Sequence, residues 1–132
     1  YGFSDGGITA LLLCIHHPGV IRQAIVSGVN ATPKGLKFFW LTLFRLIHFF
    51  KPSEEFALML REPHITKEML GQIREQVDVL AGSKDMIRSS HMKEIAASIP
   101  NGRFTELKGE KHGSYVIGSE KIAALILEKT GK

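Results

Sequence analysis

Three residues of this chain are of the types that can together carry out nucleophilic catalysis, and they occur in the order Ser4, Asp85, His112. A serine hydroxyl is a weak nucleophile until an adjacent imidazole takes its proton. A carboxylate that accepts a hydrogen bond from the other ring nitrogen orients the imidazole and stabilises its charged form. The sequence therefore predicts Ser4 as nucleophile, His112 as base and Asp85 as acid in acyl transfer to water.

The surroundings of Ser4 suit a nucleophile held on a sharp turn. Gly2 and Gly6 flank it in a G-x-S-x-G pattern that opens an apolar helical segment. Small residues two places away on each side allow the tight approach that a strained strand-to-helix turn requires. The helix N-terminus and the backbone N–H of Asp5 are expected to stabilise the oxyanion. Glycine-rich turns with a serine also arise by chance, so the interpretation depends on Asp85 and His112.

The candidate acid and base each follow a short apolar segment with the character of a strand. Asp85 lies in a loop after residues 77–81, and His112 lies in a loop after residues 103–107. Asp78 is a rival acid, but it lies at the start of its strand, which is the wrong end for this site. Asp85 is therefore the predicted acid.

The elements that must position these residues alternate between helices and strands. Strands separated by helices predict an α/β fold with a parallel sheet and helices on both faces. The predicted order is helix 4–17, strand 20–27, helical block 31–76, strand 77–81, helix 88–99, strand 103–107 and helix 119–129. Within the helical block, Pro33 is expected in the first turn of an aromatic helix, and Ser53 and Thr66 are expected as helix caps.

The aromatic helix, residues 36–50, either lines an acyl or aryl pocket or packs in the core and cap. Candidate pocket residues are Phe3, Trp40, Phe44 and His48. The segment is short and contains Lys37 and Arg45, whereas a membrane-spanning helix needs about 20 mostly apolar residues. We therefore expect no membrane partner.

These motifs resemble the α/β-hydrolase family over nearly the whole chain. Residues 2–7 resemble its nucleophile elbow, residues 79–85 (VLAGSKD) its acid loop, and residues 111–113 its histidine loop. The resemblance implies a serine hydrolase acting on an ester, lactone, thioester or similar acyl substrate, with no metal and no cofactor. It also implies one domain, with the elbow, helix and strand in residues 1–30, a helical cap in 31–76 and a C-terminal α/β part in 77–132.

The chain departs from the family pattern before the elbow, where the family has several strands and the loop that supplies a second oxyanion donor. We therefore expect a truncated or partial hydrolase with an exposed edge on strand 20–27. The 132 residues alone are expected to be inactive. Self-association through the sheet edge or the apolar cap helix stays open, as do a non-catalytic fragment and a binding module of hydrolase fold.

Composition adds limits on partners and location. The net charge is +4 and basic residues are scattered, so no nucleic-acid partner is expected. Cys14 is the only cysteine, which rules out an internal disulfide and is compatible with the expected cytoplasmic location. The histidines other than His112 lack metal-ligand spacing, and solvated or capping roles are expected for His64 and His91.

Overall fold

The computed structural model describes residues 1–131 and contains one sheet with helices on both of its faces. The strands are β1 (Gly2–Phe3), β2 (Gln23–Ser27), β3 (Gln76–Gly82) and β4 (Gly102–Leu107). The helices are α1 (Asp5–His16), α2 (Phe38–Phe50), α3 (Glu54–Arg61), α4 (Lys67–Gly71), α5 (Ser89–Ser98) and α6 (Lys121–Thr130), with a 3-10 helix at Pro33–Gly35.

All strand pairs are parallel, and the strand order is β1-β2-β3-β4. Side chains alternate between the two faces of a strand. Val77 and Val79 of β3 join the main core, which also includes buried residues of α1 and α5. Asp78, between them, accepts a hydrogen bond from Lys129 of α6, so α6 lies on the opposite face. The predicted α/β class and the helices on both faces are confirmed.

The edge of the sheet differs from the expectation. β1 pairs Gly2 with Val26 and Phe3 with Ser27, so the predicted edge strand is the second strand of the sheet. That strand also begins at Gln23 rather than Val20, because its pairing with β3 begins at Gln76. Within residues 1–131, the edge strands of the sheet are therefore β1 and β4.

Hydrogen bonds tie the helical segment between β2 and β3 to the loop that follows β2, to the loop that follows β3 and to α5. Ala31 accepts a hydrogen bond from the Ile65 N–H (2.8 Å), and Met86 accepts one from the Lys37 N–H (2.8 Å). The Ala31 N–H donates to Nε2 of His91 (3.0 Å). His91 is thus a partly buried acceptor that holds the backbone at Ala31, rather than a solvated residue.

Local signals in the cap are partly confirmed. Ser53 and Thr66 accept hydrogen bonds from the N–H groups of Phe56 (3.3 Å) and Met69 (3.2 Å), as N-caps do. Pro33 begins the separate 3-10 helix, and α2 begins only at Phe38. Between the two helices the backbone at Leu36 and Lys37 is extended, and the Lys37 N–H donates to the Met86 carbonyl instead of continuing a helix.

Within the described part of the chain, none of the helices combines the length and the hydropathy that crossing a bilayer would need.

Candidate active site

Ser4 lies between β1 and α1 in a strained backbone conformation. Its φ of 54° makes it the one non-glycine residue with positive φ among residues 1–131. Such a conformation costs about 1–3 kcal/mol and persists where the surroundings hold it. Here the Ser4 N–H donates to the Ser27 carbonyl (2.9 Å), and the Ser4 carbonyl accepts from Gly7 (2.9 Å) and Ile8 (3.0 Å). The strand, the strained serine and the helix form the turn that the sequence pattern predicts.

The glycines that the turn needs for close packing are not the pair that the sequence predicts. A Cβ on Gly2 would lie 2.4 Å from the Gly6 carbonyl oxygen, and one on Gly7 would lie 2.4 Å from Cγ1 of Val29. A Cβ on Gly6 would meet no atom within 4 Å. The prediction that Gly6 is needed for close approach is wrong, because its carbonyl, not its α-carbon, faces Gly2. The close approach depends on Gly2 and Gly7.

Asp85 and His112 meet at the carboxyl ends of β3 and β4. Oδ1 of Asp85 lies 2.8 Å from Nδ1 of His112 and accepts a second hydrogen bond from the Ile87 N–H at 2.9 Å. The side chain of Asp85 is fully buried, whereas that of His112 is 20% exposed. Because a carboxylate only accepts hydrogen bonds, its contact with Nδ1 favours the tautomer of His112 that carries the hydrogen on Nδ1. This tautomer leaves Nε2 free to accept a proton.

The second ring nitrogen of His112 faces the nucleophile candidate. Nε2 of His112 and Oγ of Ser4 are 3.3 Å apart. This is longer than a strong hydrogen bond, as is common before a substrate tightens the geometry. The three side chains therefore form one chain of contacts from Ser4 through His112 to Asp85.

Two residues lie against the imidazole: Gly28, which sequence analysis did not single out, and Phe3, which it assigned to the pocket. Gly28 has φ of 60°, and a Cβ there would lie 2.8 Å from Cε1 of His112. The ring of Phe3 also packs against the imidazole, with its centroid 4.9 Å from that of His112. The sequence signal for Gly28 was its position directly after an apolar strand, the same position that Ser4 holds after β1.

The histidine loop is itself anchored. Tyr115 is fully buried, three residues after His112. Burial raises the pKa of Tyr115 to about 12, against a smaller opposing effect of the Ser27 hydroxyl. Ser114 accepts a hydrogen bond from the Lys111 N–H (2.8 Å), which closes the turn around His112. The imidazole is therefore carried by a loop with a buried aromatic anchor.

The backbone N–H of Asp5 lies at the candidate site, whereas the side chain of Asp78 lies away from it. Asp5 is the first residue of α1, so its N–H has no acceptor within the helix and remains available to an anion at the site. Asp78 lies at the amino end of β3, where its carboxylate accepts from Lys129 (3.2 Å) and Gln76 (3.1 Å). Asp78 thus has its own partners, away from His112.

A cleft of about 550 Å³ opens beside Ser4 and His112, between α1 on one side and α2 and α3 on the other. Its walls are largely apolar and come from α1 (Ile8, Leu12), α3 (Leu58, Met59) and the loop after β3 (Met86, Ile87). Asn30, Glu55 and Glu62 add polar groups to the lining. The cleft can accept an apolar group attached to a carbonyl at Ser4.

Of the predicted pocket residues, Phe44 lines this cleft, whereas Phe3, Trp40 and His48 do not. Phe3 packs against the imidazole instead. The ring of Trp40 packs near that of Phe44 (5.9 Å between centroids), and His48 lies one turn beyond Phe44. α3 packs along α2, so Leu58 and Met59 occupy the cap side of the cleft. Neighbouring helices thus decided which aromatics reach the site.

Within residues 1–131, no group of three or more His, Cys, Asp and Glu side chains is arranged to hold a metal ion.

Comparison with solved structures identifies the fold of this chain. The chain resembles a hydrolase from Pseudomonas aeruginosa PA01 (22% identity, TM-score 0.69). It also resembles MGS-MChE2, an α/β-hydrolase enzyme from a lagoon-sediment metagenome of Mar Chica, Morocco (17%, 0.73), and a serine hydrolase from the bacterium Cycloclasticus zankles (16%, 0.74). The chain has a partial α/β-hydrolase fold.

The alignments cover nearly all of this chain but only part of each compared protein. The alignments cover 98–99% of this chain but 59–63% of the three proteins. No protein-family model and no curated protein matches the sequence. The α/β-hydrolase fold is therefore shown by structure, at low sequence identity, and the expected resemblance is confirmed at the level of the fold.

Proposed function

We propose that the protein carrying this chain is a serine hydrolase that cleaves an ester, lactone, thioester or similar acyl substrate. Ser4 is the nucleophile, His112 the general base and acid, and Asp85 the orienting acid. The observation that supports this most is the chain of contacts through the imidazole, 2.8 Å to Asp85 and 3.3 Å to Ser4. It joins three loops, each at the carboxyl end of its strand, where ligands bind in open α/β sheets.

The proposed reaction begins when Oγ of Ser4 attacks the substrate carbonyl and Nε2 of His112 takes the hydroxyl proton. Asp85 stabilises the resulting imidazolium through Nδ1. The carbonyl oxygen becomes an oxyanion, which accepts a hydrogen bond from the Asp5 N–H at the N-terminus of α1. His112 then gives its proton to the leaving group, and an acyl-serine remains.

Deacylation repeats these steps with water. His112 takes a proton from the water as the hydroxide oxygen attacks the acyl carbonyl. Collapse of the second tetrahedral intermediate breaks the bond to Ser4, whose oxygen regains the proton from His112. The products are a carboxylic acid and the alcohol or thiol of the substrate, which in a lactone stay joined as one hydroxy acid.

The cleft lining supports a neutral, largely apolar substrate. Leu58, Met59 and Phe44 surround the space beside Ser4, and burial of an apolar acyl or aryl group there contributes about 25 cal/mol per Å². The carboxylates of Glu55 and Glu62 in the same lining disfavour an anionic group on that side. Uncharged short-to-medium acyl esters are therefore the first substrates to assay.

The test is steady-state hydrolysis of p-nitrophenyl acyl esters by the full-length protein and its variants. Ser4→Ala and His112→Ala should each lower kcat by about three orders of magnitude or more, and the double variant should lose little beyond either one. Such non-additivity is expected because the two residues act as a unit. Ser90→Ala and His64→Ala, at exposed positions, should leave turnover unchanged.

Near wild-type turnover in Ser4→Ala would reject the nucleophile role. If neither the unmodified protein nor any variant hydrolyses the esters although all of them are folded, the result would favour the alternative of a non-catalytic fragment or binding module with hydrolase fold.

A further inference from the structure

Hydrogen bonds join the acid loop, residues 79–85, to the segment that leads to His112. The Lys84 N–H donates to the Glu110 carbonyl at 2.9 Å. The Gly109 N–H donates to Oγ of Ser83 at 2.8 Å. These contacts hold the chain in place as far as Glu110, two residues before His112.

The same two segments pack too closely for any side chain at Gly82. A Cβ there would lie 2.4 Å from the Glu110 carbonyl oxygen and 2.9 Å from that of Lys111. Both are backbone atoms, which cannot swing aside as the end of a flexible side chain can. The backbone of Glu110 is therefore fixed against the acid loop before the chain reaches His112.

The side chain of Glu110 bonds to a residue on the other side of His112 in the sequence. Its Oε2 accepts a hydrogen bond from the Ser114 hydroxyl, and its Oε1 accepts one from Nζ of Lys121. Hydrogen bonds from Lys121 and Ser114 lower the pKa of Glu110, so the group is ionised at neutral pH. Lys121 is 66% exposed, and its ion pair contributes little by itself, which leaves Ser114 as the partner of interest.

An ionised carboxylate fixes the direction of the Ser114 hydroxyl. Because a carboxylate only accepts, Ser114 donates its hydrogen to Glu110 and keeps its lone pairs. With one of them it accepts the Lys111 N–H at 2.8 Å. Two hydrogen bonds thus close residues 110–114 into a turn that contains His112, and we call these residues the histidine turn.

We propose that Glu110 is a positioning residue for His112. Its carbonyl binds the acid loop and its carboxylate closes the histidine turn, so one residue connects the backbone beside Asp85 to the backbone on both sides of the imidazole. The proposal rests on the proposed function. Glu110 acts through His112 and not on the substrate, since it does not line the cleft.

The position of the imidazole leaves little tolerance for loss of this link. Nε2 of His112 already lies 3.3 Å from Oγ of Ser4, and a misplacement of about 1 Å costs about 100-fold in rate. Without the Glu110 carboxylate, the turn keeps its contact between Lys111 and Ser114 but loses the one back to position 110. We expect a displacement smaller than 1 Å and a rate loss of about tenfold.

Steady-state hydrolysis of p-nitrophenyl acyl esters by the full-length protein tests the proposal. Glu110→Ala should lower kcat about tenfold and leave KM within about twofold, because the cleft is unchanged. Glu110→Gln should keep kcat within about threefold of the unmodified protein, because its amide oxygen also accepts the Ser114 hydroxyl. Rescue by this conservative variant is the signature of a hydrogen-bonding role.

Ser114→Ala removes the other partner of the same hydrogen bond. It should lower kcat at least as much as Glu110→Ala, because Ser114 also accepts the Lys111 N–H. The double variant should lie within about twofold of Ser114→Ala alone, since the two substitutions break one shared contact and are not additive.

Glu106→Ala is the matched control. The Glu106 carboxylate also accepts a hydrogen bond from a serine hydroxyl, that of Ser89, but this pair joins β4 to α5 and lies outside the histidine turn. Glu106→Ala should leave kcat and KM unchanged. Thermal melts of both alanine variants should be similar, which separates a displaced imidazole from a general loss of stability.

Three results would overturn the proposal while Ser4→Ala still abolishes turnover: a kcat of Glu110→Ala within twofold of the unmodified protein, equal losses in Glu110→Ala and Glu110→Gln, or an equal loss in Glu106→Ala. Turnover that survives Ser4→Ala would instead reject the proposed function, and the role of Glu110 with it.

Discussion

A methyl group added at Gly28 should displace the imidazole of His112. The new Cβ would lie 2.8 Å from Cε1 and 3.1 Å from Nδ1 of that ring, and 3.3 Å from the Phe3 ring. Ordinary carbon contacts are about 3.5–4 Å, so the imidazole must retreat by roughly 0.7 Å or more. Phe3 packs against the same ring and limits the directions of movement.

The displacement acts on two distances that the proposed mechanism depends on. His112 lies 2.8 Å from Asp85 and 3.3 Å from Ser4, and the second distance is already long. A misplacement of about 1 Å costs about 100-fold in rate. Gly28→Ala should therefore lower kcat by roughly 10- to 100-fold. KM should change little, because Gly28 does not line the cleft.

The substitution also strains the backbone, since Gly28 has φ of 60° and alanine there costs about 1 kcal/mol. Gly118→Ala is the matched control: Gly118 has φ of 64°, but a Cβ there would meet no atom within 4 Å. Gly118→Ala should lose only the stability that the backbone strain costs and should keep ester hydrolysis. Gly28→Ala should lose more stability, because its Cβ also clashes with His112, and should lose ester hydrolysis. Equal kcat values in the two variants would refute the steric reasoning.

Two further predictions concern stability. Gly2→Ala should lower the free energy of unfolding by about 1–3 kcal/mol, because its Cβ would clash with a backbone carbonyl. Gly6→Ala should be nearly neutral in the same thermal melts. Equal losses in the two variants would contradict the conclusion that the turn needs glycine at position 2 and not at position 6. Burial, aided by the nearby Arg88 charge, lowers the pKa of His91, whose neutral Nε2 accepts the Ala31 N–H. Stability should therefore be full above the ordinary histidine pKa of about 6.5 and decrease as the pH falls through the lowered pKa, as measured by urea midpoints at several pH values. His91→Gln should flatten that part of the profile, and an unchanged slope would assign it to other groups.

The positions of the candidate triad could be predicted from sequence because they follow from chain order and one geometric rule. Asp85 and His112 each follow a predicted strand and Ser4 opens a predicted helix, and parallel strands bring their carboxyl ends to one edge of the sheet. The caps at Ser53 and Thr66 were equally accessible, since an N-cap depends on a contact within four residues. Strand order thus made the triad predictable, and local sequence signals made the helix N-caps predictable.

The features that were mispredicted depend on contacts between distant segments. The 3-10 helix at Pro33 is separated from α2 by the hydrogen bond of Lys37 to Met86, which no local pattern encodes. Trp40 and His48 are excluded from the cleft because α3 packs along α2 and supplies the lining. The role of Gly28 arises from its approach to His112, 84 residues later in the chain.

The most direct test of the proposed nucleophile is covalent labelling of the full-length protein with a fluorophosphonate, followed by peptide mapping with mass spectrometry. A reactive serine needs a base within reach, so the probe should form one adduct, on Ser4, and His112→Ala should abolish it. His64→Ala should label like the unmodified protein. An adduct on another serine, or labelling of Ser4 that persists at the same rate in His112→Ala, would contradict the assignment of Ser4 and His112 as nucleophile and base.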